Sequence, residues 1–148
     1  MVSKLKALIA YLSYSGNTKE VAELIEEQLL EEGFFVEKHR IGIDFPIRPE
    51  NYDLIFIGTF TWNKGATPDE VKDFVLEIGY KPDNIAVFGT GETQFGGDHL
   101  FCLAAVKLAK FYKSKWEPLK IEQSPRGSQE KYVKKWVEEV LQDAKRFA

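Results

Sequence analysis

Apolar runs of strand length alternate along the chain with longer segments of helical periodicity. The first run, LKALIAY at residues 5–11, is apolar on both faces, as expected for a buried strand of a parallel sheet. Similar runs follow at 53–59 (DLIFIGT) and 84–90 (NIAVFGT), and a shorter one, PLKIE, occupies 118–122. The run FFVEKHR at 34–40 becomes polar at its end, which predicts an edge strand.

Helical spacing of apolar residues predicts four main helices, at residues 17–32, 67–78, 99–113 and 128–146. Gly33 is expected to cap the first of them at its carboxyl end. The second opens with Thr67, Pro68 and Glu70, the pattern of a capping box. Tyr132 and Trp136 fall on the apolar side of the last helix.

This order of elements is a repeated βαβ pattern, which predicts a parallel, doubly wound α/β sheet of five strands with helices on both faces. No linker, repeat or low-complexity segment interrupts it, so residues 1–148 are expected to form a single domain. In such sheets ligands bind at the carboxyl ends of the strands. The loops in question read SYSGNT, TFTWNKGAT and GTGETQFGGD.

The first of these loops has the composition of a phosphate seat. Ser13, Ser15 and Thr18 supply hydroxyl donors, Gly16 lets the backbone approach a ligand closely, and the following helix adds free N–H groups. The lysine of a nucleoside-triphosphate loop and the GxGxxG pattern of a dinucleotide site are both absent. A single monoester phosphate fits better, although a plain helix cap remains an alternative.

Composition narrows the function further. The net charge of −3 argues against nucleic-acid binding, and no apolar stretch is long enough to span a membrane, which favours a cytoplasmic protein. A single cysteine, Cys102, allows no internal disulfide, and the two histidines, His39 and His99, are expected at the surface rather than in a metal site.

The three loops together resemble those of flavodoxins. SYSGNT resembles the family's [ST]-x-[ST]-G-x-T phosphate loop, GTFTWNKG its second loop, and FGTGETQF, with FC a few residues on, its third. The element order matches over the whole chain, and the fifth strand leaves no room for the insertion of long-chain members. The resemblance implies a short-chain flavodoxin with strand order 2-1-3-4-5.

The resemblance implies that the cofactor is flavin mononucleotide (FMN), held without a covalent bond. In this comparison Trp62 and Phe95 stack on the two faces of the flavin, and Cys102 lines its ring. Cys102 could alternatively be a reactive thiol. The full set of cofactor-binding positions implied by the resemblance is Ser13, Tyr14, Ser15, Gly16, Asn17, Thr18, Thr59, Phe60, Thr61, Trp62, Asn63, Lys64, Gly65, Thr90, Gly91, Glu92, Phe95 and Cys102.

The function implied is that of a low-potential one-electron carrier, not an enzyme, which shuttles between the semiquinone and hydroquinone forms of FMN. Its partners would be a flavodoxin reductase as donor and redox enzymes as acceptors, with the carrier itself a monomer. Three positions depart from common patterns: Phe95 replaces a tyrosine, Asn63 replaces a glycine at the peptide expected to flip on reduction, and Lys64 adds positive charge.

The sequence also bears on four other functions. A flavodoxin-like FMN reductase and a specialised activator of a metalloenzyme remain alternatives. A signalling receiver needs an acidic pair after the first strand and an aspartate at the end of the third, and neither is present. A phosphatase on a similar sheet needs a cysteine and an arginine in the first loop, which are also missing.

Overall fold

The computed structural model describes residues 5–14, 16–44, 46–61, 66–91, 102–123 and 125–146. Five strands form one parallel sheet: β1 (Lys6–Tyr11), β2 (Phe35–Arg40), β3 (Leu54–Phe60), β4 (Ile85–Gly91) and β5 (Leu119–Glu122). Their order is β2-β1-β3-β4-β5, which confirms the predicted topology. The strand β2 lies at one edge of the sheet, as its polar end indicated.

Four helices cover the two faces of the sheet: α1 (Asn17–Glu31), α2 (Asp69–Ile78), α3 (Leu103–Tyr112) and α4 (Gln129–Arg146). One core lies beneath α1 and α4, where Phe56 and Trp136 meet edge to face with ring centroids 5.7 Å apart. The other core lies beneath α2 and α3. The central strands are buried on both sides, which explains why their sequences lack the alternation of a half-exposed sheet.

The register of the strands brings the ends of β1, β3 and β4 together. Tyr11 pairs with Gly58, and Phe60 pairs with Thr90. The three loops that follow β1, β3 and β4 therefore leave the sheet side by side. This is the edge at which a doubly wound sheet binds its ligand.

Two glycines allow this part of the sheet to pack closely. A Cβ atom on Gly58 would lie 2.2 Å from the ring of Phe88, and one on Gly89 would lie 2.7 Å from the Cβ of Ala105. Contacts this short cannot be accommodated in a filled core. Glycine at 58 thus makes room for the Phe88 ring, while glycine at 89 lets α3 pack directly on β4.

Two helix starts differ from the sequence prediction. The prediction of a capping box was wrong, because α2 begins at Asp69 without a capping side chain. The carboxylate of Glu70 accepts a hydrogen bond from Tyr14 instead. The helix α3 begins at Leu103 rather than near residue 99, because Cys102 has a left-handed backbone (φ 53°) that helical geometry does not allow. Gly33 does follow the end of α1 with positive φ, as predicted.

Two burial predictions were also wrong. His39 is buried, not exposed, because it lies on β2 beneath α2, with its ring centroid 5.3 Å from that of Phe74. The spacing of apolar residues predicts Tyr132 on the apolar side of α4, but 59% of its surface is exposed. Its neighbours Val133, Trp136 and Val137 form the buried stripe, and Tyr132 lies outside it.

Among the helices within the described residues, none combines the length and the apolar character needed to cross a membrane.

Candidate functional site

The first loop ends in a sharp turn at the start of α1. Gly16 occupies the cap position with a left-handed backbone (φ 97°), and its N–H donates to the Ser13 hydroxyl at 3.1 Å. The carbonyl of Gly16 accepts the first helical hydrogen bond, from the N–H of Glu20 at 3.0 Å. An added Cβ at Gly16 would meet nothing within 4 Å, so glycine is required here by conformation and not by space.

This turn leaves a seat for an anion. The N–H groups of Asn17, Thr18 and the next residue lie in the first turn of α1, where helical geometry provides no acceptor. The cap residue, Gly16, has no side chain that could accept a hydrogen bond from these groups. The partial positive charge of the helix end adds to these donors. These N–H donors carry no formal charge and lie close together, which fits a phosphate monoester. Ser15, also predicted to bind phosphate, lies outside the described residues.

Thr18 connects the first loop to the third. Its hydroxyl lies 2.8 Å from that of Thr90, the next-to-last residue of β4. Both residues are buried, with 1% and 3% of their surfaces exposed. The structure thereby joins two predicted site residues that are 72 positions apart in the sequence.

Tyr14 connects the first loop to the second. Its ring lies 4.9 Å from that of Phe60, at the end of β3, and its hydroxyl donates a hydrogen bond to Glu70 in the first turn of α2. Tyr14 nevertheless keeps 62% of its surface exposed. The capping-box pattern assigns Glu70 to the start of the helix and does not predict this contact. The available signal in the sequence is an acidic residue shortly after a predicted ligand loop.

The two described threonines of the second loop have local partners. The Thr59 hydroxyl donates to the neighbouring Phe60 carbonyl at 2.8 Å and is buried. The Thr61 hydroxyl accepts a hydrogen bond from the N–H of Ala104 at 3.1 Å, in the first turn of α3. The second loop is thus held to the neighbouring helix where it leaves the sheet. Trp62, Asn63, Lys64 and Gly65 lie outside the described residues.

The third loop starts at Gly91, the last residue of β4, whose carbonyl accepts a hydrogen bond from the Gln123 N–H at 2.8 Å. Residues 92–101, including Glu92 and Phe95, lie outside the described residues. On the far side of the loop Cys102 is 1% exposed, and its Sγ lies 3.9 Å from the Ile121 carbonyl. Burial raises the pKa of the Cys102 thiol to about 12, so the group is a neutral thiol. That state disfavours the reactive-thiol alternative.

A cleft of about 370 Å³ lies beside the first loop, on the side of β2. Ser13, Tyr14 and Gly16 form one of its walls, and Arg40 and Ile43, from the segment at the end of β2, form another. Lys19 and Arg40 supply positive charge to this cleft, while Arg40 is also paired with Asp44 at 2.9 Å. The candidate phosphate seat therefore lies next to two cationic side chains, and the carboxylate of Glu70 also lines the cleft.

Comparisons with known proteins agree on one family. The flavodoxin family model matches residues 9–136. The chain is 34% identical to probable flavodoxin 2 of Bacillus subtilis (strain 168), over 97% of this chain and 94% of that protein.

Two solved structures extend this similarity to the fold. The crystal structure of oxidised flavodoxin 2 from Bacillus cereus superposes with a TM-score of 0.74 at 32% identity, covering 95% of this chain and 99% of that one. A short-chain flavodoxin associated with a non-canonical bacterial microcompartment superposes with a TM-score of 0.85. Its identity to this chain is 22%, over 95% of this chain and 99% of that one, so it supports the fold alone.

Proposed function

Since this chain belongs to the flavodoxin family, whose members bind FMN and transfer electrons between redox partners, we propose that it is a low-potential one-electron carrier. It would work between the semiquinone and hydroquinone forms of FMN. A reductase would supply the electrons and redox enzymes would accept them. We further propose that residues 1–148 act as a single-domain monomer in the cytoplasm.

The observation that carries this proposal is the turn at Gly16. Its left-handed backbone starts α1 at the carboxyl end of β1, next to β3, so that the free N–H groups of the first helical turn face the edge of the sheet. In the proposed site these groups and the Ser13 side chain hold the FMN phosphate. The donors carry no formal charge, which suits a monoester whose charge is shared among several N–H groups.

The ring of the flavin would lie between the second and third loops. We propose that Trp62 and Phe95 cover its faces, with Thr90, Gly91 and Glu92 at its polar edge and Cys102 nearby. Phe60 and Thr61, which begin the second loop, are held by Tyr14 and Ala104, respectively. These two contacts restrict the start of the second loop.

The proposed low potential has a physical basis in the charges near the second loop. The first turn of α2 carries two acidic residues, Asp69 and Glu70. Negative charge close to the flavin disfavours its anionic reduced form, as does an apolar environment. Lys64, within the same loop, would act in the opposite direction. We therefore expect that Lys64→Glu lowers the potential of the final reduction step.

The first experiment is an absorbance spectrum of the purified protein, followed by release and identification of its chromophore. We expect a yellow protein that releases FMN and passes through a long-lived blue form during slow anaerobic reduction. A colourless protein that also fails to take up added FMN would contradict the proposal. Fast oxidation of a nicotinamide by the protein alone would instead favour the alternative function of an FMN reductase.

A further inference from the structure

The hydroxyl groups of Thr18 and Thr90 form a buried pair between the start of α1 and the end of β4. Their oxygen atoms are 2.8 Å apart, and either group could be the donor. Neither residue is more than 3% exposed. Within the part of the chain that the structure describes, this mutual contact is the one side-chain hydrogen bond of either hydroxyl.

A pair of hydroxyl groups joined by one hydrogen bond has one proton to spare. Each hydroxyl carries a single proton and two lone pairs, so the bond between Thr18 and Thr90 uses one proton and leaves the other without an acceptor among the described residues. A buried donor without an acceptor is unfavourable. The pair is therefore suited to a ligand that offers an acceptor oxygen.

The position of Thr18 indicates where that acceptor would be. Thr18 is the second residue of α1, within the turn whose N–H groups and partial positive charge attract an anion. A phosphate oxygen accepts hydrogen bonds but has no proton to donate in its dianionic form. Facing such an oxygen, Thr18 must donate outward, since a lone pair turned toward the anion would be repelled. Thr18 must then accept its other hydrogen bond from Thr90.

We propose that Thr90 and Thr18 form a relay in which Thr90 donates to Thr18 and Thr18 donates to the phosphate of FMN. Thr18 is then a phosphate-binding residue, and Thr90 is a positioning residue that acts through it. This inference rests on the proposed function, because it assumes that the seat at α1 holds a phosphate. It assigns to the Thr90 side chain a role distinct from that of its backbone at the flavin ring.

Thr90 is well placed to orient Thr18 because it is itself held on both sides. Within the sheet it lies between Phe60 of β3 and Ile121 of β5, and the carbonyl of the next residue, Gly91, is bonded to Gln123. Its hydroxyl therefore projects from a fixed strand. A hydrogen bond from such an anchor restricts the rotation of the Thr18 side chain and reduces the entropy lost when phosphate binds.

The relay predicts that Thr90 matters for FMN but not for riboflavin, which lacks the phosphate. Dissociation constants are measured from the recovery of flavin fluorescence as the holoprotein is diluted, first with FMN and then after exchange into riboflavin. Thr18→Val should weaken FMN binding about tenfold or more, as for loss of a hydrogen bond to a charged group. Thr90→Val should weaken it about threefold to tenfold. Riboflavin binding should change little in either variant.

The double variant distinguishes a relay from two independent contacts. If Thr90 acts through Thr18, then Thr90→Val should cause no further loss of FMN affinity in the Thr18→Val background. Thr90→Ser retains the hydroxyl and should bind FMN as the wild type does. Tyr112→Phe is the matched control, because it removes a buried hydroxyl, at the far end of α3, that has no hydrogen-bond partner among the described residues. It should leave both affinities unchanged.

Two results would overturn the relay while leaving the proposed function intact. One is an equal loss of FMN and riboflavin affinity in Thr90→Val, which would mean that Thr90 only supports the flavin loop. The other is a double variant whose loss of FMN affinity equals the product of the losses in the two single variants. If Thr90→Val does not fold, Thr90→Cys replaces it, and its weak S–H donor should give an intermediate, FMN-specific loss.

A wild-type protein that binds no flavin would contradict the proposed function. The relay is then tested with inorganic phosphate alone. Phosphate should raise the melting temperature of the wild type more than that of Thr90→Val or Thr18→Val. An equal rise in all three proteins, or none in any, would overturn the relay.

Discussion

The hydroxyl of Tyr14 donates a hydrogen bond to the carboxylate of Glu70, which ties the first loop to the start of α2. The ring of the same tyrosine packs on Phe60 in the second loop. One largely exposed side chain thus joins three segments around the proposed phosphate seat. We expect Tyr14 to hold the first loop in its binding conformation before the cofactor binds.

Removal of this hydrogen bond should weaken FMN binding modestly. Tyr14→Phe keeps the ring contact with Phe60 but loses the donor, and we expect a rise in the dissociation constant of about twofold to fivefold. Glu70→Ala should have a similar effect, and the two losses should not add. Tyr132→Phe, at another exposed tyrosine, is the control. Independent, additive losses would show that Tyr14 and Glu70 do not act as a pair.

Replacement of Gly16 should cost both stability and affinity. Its φ of 97° is unfavourable for alanine by about 1–2 kcal/mol, although the space around it is open. Urea unfolding of Gly16→Ala should show a loss of this size, and FMN binding should weaken because the turn of the phosphate seat shifts. Gly127→Ala is matched for positive φ (63°) and open space. It should lose comparable stability with unchanged FMN affinity.

His39 should make stability depend on pH in mildly acidic solution. Burial lowers the pKa of His39, while the charges of Asp44 and Glu77 oppose this shift only in part. The unfolded chain, with a histidine pKa of about 6.5, therefore binds a proton more readily than the folded protein does. The stability that neutral, buried His39 provides is fully present above a pH of about 6.5. It is lost as the pH falls from about 6.5 through the lower pKa that His39 has in the folded protein.

The measurement is the urea midpoint between pH 7.5 and pH 5. The wild-type midpoint should fall over this interval, and His39→Leu should remove most of the fall. His99→Gln removes the other histidine of the chain and serves as the comparison. If the fall persists in His39→Leu and disappears in His99→Gln, the assignment to His39 is wrong.

Cys102 should resist thiol reagents in the native protein. The side chain is 1% exposed, and burial raises the pKa of its thiol to about 12, so little of the reactive thiolate is present at neutral pH. Alkylation by iodoacetamide should be slower than for a free thiol by about two orders of magnitude or more. At a urea concentration that unfolds the chain, the alkylation rate should become that of an ordinary cysteine. Fast alkylation under native conditions would contradict this burial.

Much of the fold could be read from local patterns. Runs such as IAVFG in β4 are apolar on both faces because these strands are covered by helices on both sides, and that pattern requires no knowledge of distant residues. The cap at Gly33 and the turn at Gly16 follow from the conformational freedom of glycine. The order of strands and helices then restricted the topology, and the loop motifs indicated the cofactor.

The errors arose where a distant contact overrides a local preference. Glu70 fits a capping box by spacing, yet Tyr14 binds its carboxylate because the first loop reaches the start of α2. His39 resembles a surface residue of an edge strand, but α2 covers that strand and buries the ring. Neither outcome is encoded within a few residues of the position concerned.

The sequence by itself determined the alternation of strands and helices and the turn at Gly16, because each depends on residues adjacent along the chain. It also predicted the three ligand loops and the donors of the proposed phosphate seat. Only the tertiary structure decided which side chains of different loops meet. Thr18 and Thr90 become partners because α1 packs where β4 ends, and Tyr14 meets Glu70 because β1 and β3 are neighbours in the sheet. Such pairings depend on strand order and register, which place residues far apart in sequence within hydrogen-bonding distance.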